Sequence, residues 1–224
     1  MLKPLEQQAD ASVTELRQSF KELKDSKDSA SQLRLHRSLS WLEAADTYKN
    51  DKDMCFINLW IAFKALVKTR EPELNFQGFS DYLFSIDPDA DLYSLFWHEY
   101  SAIIRQLIKN PYLYEGFWSA HPSGTAETEN EWRRDFEQQS IEALNALSRR
   151  NEAAILQIIL SRLFVLQQQV LEGGATWKSQ VNRQQIEDGV SILQVLLPRI
   201  IRLMLVANKP WEDAAYPVVD TPLV

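Results

Sequence analysis

Apolar positions recur along this chain at intervals of three and four, the spacing that lines one face of an α-helix. Val13, Leu16, Phe20 and Leu23 form one such stripe and predict a first helix ending near Lys24. Ser29 with Gln32 makes a capping box, in which side chains satisfy backbone donors at the helix start, for a second helix with Leu35, Leu39 and Leu42 inward. From Met54 to Val67 the chain is apolar on all sides except at Asn58 and Lys64, which predicts a central helix surrounded by others. Asp87-Pro88 supplies an N-cap and a first-turn proline for a helix through Leu92, Leu95, Phe96, Ile103, Ile104 and Leu107, ended before Pro111. Thr128 and Glu131 make another capping box ahead of Trp132, Phe136, Ala143, Leu144 and Leu147. Asn151 to Leu171 reads as a long helix halted by Gly173-Gly174, since glycine suits the left-handed backbone that closes helices. Asn182 with Gln185 starts a last helix that runs to about Ala207 and is loosened at Pro198, where a backbone donor is lost.

Alternating β-branched runs are missing and glycine occurs only 6 times, so the punctuation of sheets and hairpins is absent. The pattern predicts an all-α fold: a single helical domain over 1–224, a bundle of about seven or eight helices. Its core is expected over about 29–208. The tail 209–224, with Pro210, Pro217 and Pro222, should be irregular, and segment 119–127 is the most loop-like stretch between helices.

Charge and cysteine content narrow the function. A net charge of −7 argues against a broad basic face for phosphates, leaving room only for a local basic pocket. Cys55 is alone, so neither a disulfide nor a zinc cage can form, and a reducing cytoplasm is the expected location. The start, Met1-Leu2-Lys3-Pro4-Leu5-Glu6, turns polar too soon for a secretory signal, and no run of 18 apolar residues predicts a membrane span. His36, His98 and His121 stand in no metal-ligand spacing, and His98 and His121 read as packed residues, so neither a metal nor any other cofactor is expected. Phosphate-cradling glycine loops and the nucleophile elbow are also missing.

Three segments carry a resemblance. Ser38-Leu39-Ser40-Trp41-Leu42-Glu43-Ala44-Ala45 is followed by Phe56-Ile57-Asn58-Leu59-Trp60-Ile61-Ala62-Phe63; Asn110-Pro111-Tyr112 leads to Phe117-Trp118; and the stretch from Val165 ends in Gly173-Gly174-Ala175-Thr176-Trp177 with Asn182-Arg183 after it. In order and separation these resemble HEPN-domain proteins of the prokaryotic group related to the ApeA-like HEPN domain, and they span about residues 35–205. The resemblance implies an α-helical bundle, commonly a two-fold dimer, in which many members are metal-independent ribonucleases of toxin-antitoxin or antiviral systems.

The family's catalytic arginine aligns with Gln167, the polar residue after it with Gln168, and its histidine with Glu172. In the family's 2′-hydroxyl transesterification, histidine moves protons near neutral pH and arginine stabilises charge on the transition state. Here an uncharged amide and an anion stand in their places. A glutamate, with a reference pKa near ~4.3, is a poor proton acceptor at neutral pH. Five helical steps turn about 500°, so Gln167 and Glu172 would lie roughly 140° apart on a straight helix; either the helix ends between them or a partner chain completes the site.

The resulting expectation is a catalytically degenerate HEPN-type module that binds RNA or a cognate protein, with Arg162, Gln168, Gly173, Gly174, Trp177, Lys178, Asn182 and Arg183 in supporting positions. The alternative is a divergent endoribonuclease in which Glu172 is the base and Arg162, Lys178 or Arg183 supplies the cation. Apolar residues on more than one face of the last two helices, among them Ile155, Ile158, Ile159, Leu163 and Phe164, with Leu196, Leu197, Ile200, Ile201 and Leu203, predict a homodimer through this region.

Overall fold

The computed structural model describes residues 12–67, 76–121, 125–181, 183–211, 215, 216 and 218. Asn182 and parts of the 119–127 loop and of the tail lie outside them, as does the side chain of His98. The chain is all α, with ten α-helices and no strand among the described residues.

The helices from Val13, Ser29, Ala126 and Glu152 each begin where a short polar side chain accepts a hydrogen bond from an otherwise orphaned backbone N–H. Ser12 and Glu15 form a reciprocal capping box at α1 (Val13–Leu23). A 3-10 turn over Lys24–Ser26 leads to α2 (Ser29–Thr47), capped by Asp28 on the Ser31 N–H at 3.0 Å, one residue before the expected Ser29. The central helix α3 (Lys52–Val67) buries Phe56, Leu59, Trp60, Ala62, Phe63 and Leu66 between α2 and α10 (Arg183–Val206). This all-round burial is why its sequence is apolar on every side. The sequence pattern passed over α4 (Phe76–Ser85), although Phe76, Phe79 and Leu83 follow helical spacing and Phe79 and Leu83 are fully buried.

The helix expected from Asp87 to Leu107 is broken in two. Asp87 does cap a helix start, accepting from the Asp91 and Leu92 N–H groups at 3.0 and 2.9 Å, but Ala90 adopts a left-handed turn (φ 55°) before α5 (Asp91–Ser94). A π-helical turn over Leu95–Glu99 follows, closed by the Tyr100 N–H on the Leu95 carbonyl at 3.1 Å, and then α6 (Ser101–Lys109). The extra residue in the wide turn keeps Phe96 and Ile104 both in the core. Glu99 and Asp91 pin this segment to Arg199 and Arg202 of α10 at 2.9 and 3.3 Å.

A 3-10 turn over Pro111–Leu113 and a short α7 (Glu115–Ala120) precede α8 (Ala126–Ser148), whose cap is Thr125 on the Thr128 N–H at 3.3 Å rather than Thr128 itself. Asn151 caps α9 (Glu152–Leu171) through the Ala154 N–H at 3.2 Å. Helix α10 continues through Pro198.

One contiguous apolar cluster reaches from Leu16 and Phe20 of α1 to Trp211, beyond the 29–208 expected for the core. Trp211 lies in an irregular segment yet packs its ring 5.4 Å from Phe79 and 5.3 Å from Tyr82, so this part of the tail is docked by its aromatic residue. By length and composition α9 and α10 could each cross a membrane, and 56% and 67% of those stretches are buried inside the fold. Central position in a bundle selects for the same apolar character.

Candidate functional site

The second half of α9 gathers the three family-like segments. Gln167, which the HEPN resemblance aligns with that family's arginine, is 6% exposed, and its Oε1 accepts from Trp60 Nε1 of α3 at 2.8 Å. Trp60 is fully buried, and a buried indole N–H without an acceptor costs about 1–3 kcal/mol. Two residues on, Gln169 donates through Nε2 to the Tyr112 carbonyl at 2.6 Å, and Trp118 Nε1 donates to the same carbonyl at 2.9 Å. Arg162 Nη1 donates to the Leu113 carbonyl at 3.1 Å. Thus α9 fastens both the central helix and the Asn110-Pro111-Tyr112 turn through polar side chains, while Gln168 between them is half-buried.

Helix α9 ends between Gln167 and Glu172. Glu172 is the C-cap residue, its N–H on the Gln168 carbonyl at 2.9 Å and its side chain in solvent. Gly173 follows at φ 82°, a backbone that residues with a Cβ adopt at a cost of roughly 1–2 kcal/mol. A Cβ on Gly174 would lie 3.2 Å from the Gln169 carbonyl oxygen, a tight contact that the backbone would have to relax by a few tenths of an ångström to accept. Gln167 faces the core and Glu172 faces water.

Beyond the glycines the loop is clamped to the start of α3 by two aspartates. Asp51 accepts from the Met54 N–H at 3.1 Å and Trp177 Nε1 at 3.2 Å, and pairs with Lys178 Nζ at 3.4 Å. The Met54 N–H above all, then the Trp177 and Lys178 donors, hold the Asp51 carboxyl below the usual carboxylate range. Asp53, 5% exposed, accepts from the Lys178 N–H at 3.2 Å and from Arg183 Nη1 at 2.8 Å. Arg183 spends Nε and Nη2 on the Ser179 carbonyl at 2.9 and 2.8 Å. These bonds hold Lys178 at φ 55°, and its ammonium sits 4.4 Å above the Trp177 ring. The sequence reading missed both aspartates. Their signal was local, acids at the entry and first turn of an apolar helix, but their partners lie more than a hundred residues away.

Of the three cations considered as replacements for the family's arginine, Lys178 and Arg183 are engaged by the clamp and Arg162 by the Leu113 carbonyl, while Gln167 bonds Trp60. His36 is exposed beside Phe20, and His121 is exposed and stacked on Phe117 at 5.5 Å. No group of three or more metal-ligating side chains exists among the described residues. The apolar faces expected to join two copies are covered by the chain itself: Ile155, Ile159, Leu163, Leu196, Leu197 and Ile200 are buried, as are Ile201 and Leu203. Ile158 and Phe164 are partly buried and line a groove instead. Neighbouring helices of a ten-helix bundle supply the cover that the sequence pattern attributed to a partner.

No family model, no curated protein and no solved structure matches the chain. The HEPN resemblance rests on its sequence segments alone.

Proposed function

We propose that the protein is a HEPN-type helical module without ribonuclease chemistry, a cytosolic homodimer that binds a cognate protein of a toxin-antitoxin or antiviral system. The observation that supports this reading most is the engagement of Gln167 with Trp60: the side chain at the arginine position serves the core and has no fixed charge to offer a phosphorane-like transition state. Pairing of Lys178 and Arg183 with Asp51 and Asp53 favours a protein partner over RNA, since cations already neutralised by carboxylates release few counterions from a nucleic-acid backbone.

Purified protein incubated with total cellular RNA, with and without chelator, should leave the RNA intact and produce no electrophoretic shift at physiological salt. Cleavage that disappears in Glu172→Gln would instead establish the divergent ribonuclease, and a salt-sensitive shift without cleavage would establish RNA as the ligand. The homodimer is proposed on the resemblance, whose members are commonly two-fold dimers, and not on the apolar faces of α9 and α10, which the chain itself covers; light scattering at tens of micromolar should give the mass of two chains.

A further inference from the structure

Between α7, α8 and α9 lies a groove of about 700 Å³, within the roughly 300–1,000 Å³ typical of small-molecule sites. Much of its wall is apolar: Phe76, Leu113, Ala143, Ile158, Phe164 and Val165. Arg162 lines it as well, 5% exposed. A guanidinium taken out of water is normally matched by a carboxylate, as buried Arg199 is by Glu99 at 2.9 Å. Among the described residues Arg162 has no such partner. Its Nη1 bonds the Leu113 carbonyl, its charge lies 5.2 and 5.4 Å from the ring centroids of Tyr114 and Phe136, and Nε has no hydrogen-bond partner. Desolvation pulls its pKa down to about 10, which leaves it a cation at neutral pH.

The bond through Nη1 leaves the edge made by Nε and Nη2. The same edge of Arg17 shows what it takes: Nε and Nη2 there grip the two oxygens of Glu43, each at 2.7 Å. That fork matches a carboxylate in geometry as well as charge. The groove also carries two exposed acids, Glu115 and Glu142, and no lysine. They disfavour a second negative charge beside the first.

We propose that this groove binds a small monocarboxylate with an apolar body, its carboxylate on Arg162 and its body against the apolar wall. Such a ligand supplies the counter-ion that the fold withholds and covers the apolar surface beside it. The groove includes neither Gln167 nor Glu172, and the proposal stands whether or not the chain is of the HEPN type.

The test is calorimetric titration of the full chain with octanoate and with 3-phenylpropanoate, each against the matching alcohol, with melting temperature as a second readout. At least one carboxylate should bind tenfold or more tighter than its alcohol and raise the melting temperature. Arg162→Met should erase that preference. In case Arg162→Met does not fold, Ser161→Phe provides an independent block: Ser161 is exposed at the groove, and a ring there should abolish binding while leaving the unliganded melting temperature unchanged. No binding of either acid, equal binding of acid and alcohol, or binding untouched by Ser161→Phe overturns the proposal. Octyl phosphate bound as tightly as octanoate overturns the assignment to a single carboxylate.

Discussion

Arg183 and Arg162 are both largely withdrawn from solvent, yet their surroundings are opposite. Arg183 sits in a closed ionic clamp with Asp53 at 2.8 Å and the Ser179 carbonyl filling its other donors. Arg162 is more deeply buried, and its partners are a carbonyl and two aromatic rings beside an open groove. A satisfied cation is part of the architecture that shapes a loop. An unsatisfied one is a standing cost, and its position at a cavity suggests what offsets it.

The contrast sets an order of expected effects. The largest belongs to Asp53→Ala, which leaves Arg183 without its counter-charge and Lys178 without the acceptor that holds its left-handed turn. We expect a loss of about 3 kcal/mol in urea unfolding, the scale for breaking a buried pair, and a loss below ~1 kcal/mol would demote the clamp to a surface contact. Gln167→Leu strands the Trp60 indole N–H in the core and should cost about 2 kcal/mol by the same measurement. A nearly neutral result there would mean that the bond is dispensable to packing and would reopen position 167 to a functional role.

Gly173→Ala places a Cβ at φ 82° with nothing within 4 Å of it, so only backbone strain opposes the change. About 1 kcal/mol is expected, read as a shift of the urea midpoint. Acidification should act more weakly on the same clamp. The Asp51 carboxyl is depressed in the folded chain, so its contribution is present above its unfolded value near 3.8 and is lost as pH falls through the lower folded value. The stability gap between wild type and Asp51→Asn should therefore be seen at neutral pH and close as pH drops below about 4; a gap constant from pH 7 to 3 would contradict it. Smallest of all is Arg162→Met in the absence of ligand. Removing an uncompensated buried charge offsets the lost bond to Leu113, so stability should stay within ~1 kcal/mol of wild type. A loss near 3 kcal/mol would make Arg162 a structural residue like Arg183 and erase the difference between the two.

Helix identity was legible wherever the decisive interactions are local. The stripes over α1 and α2, the long helix α9, the cap near Ser29 and the stop at Gly173 follow from spacing and backbone conformation, because a helix hydrogen bond and a cap reach only three or four residues. Where two local signals compete, as at Thr125 and Thr128, the pattern misplaced the start, since either hydroxyl can cap and only the built helix shows which does. The left-handed turn at Ala90 and the wide turn over Leu95–Glu99 were illegible, because their reason is the fit of this segment against α10.

The sequence by itself determined an all-α chain, its main helical stripes, and the residue types at the two positions on which the resemblance turns, an amide at Gln167 and a carboxylate at Glu172. Tertiary structure decided what those residues do. Gln167 meets Trp60 across 107 positions of chain, and Arg183 meets Asp53 across 130. Residue type and spacing carry no record of such distant pairings. Whether a polar side chain is satisfied, exposed or left wanting a partner is set by the neighbours that folding brings to it. The same holds for apolar faces: Leu163 and Ile200 promised surface for a partner, and the chain's own helices covered them.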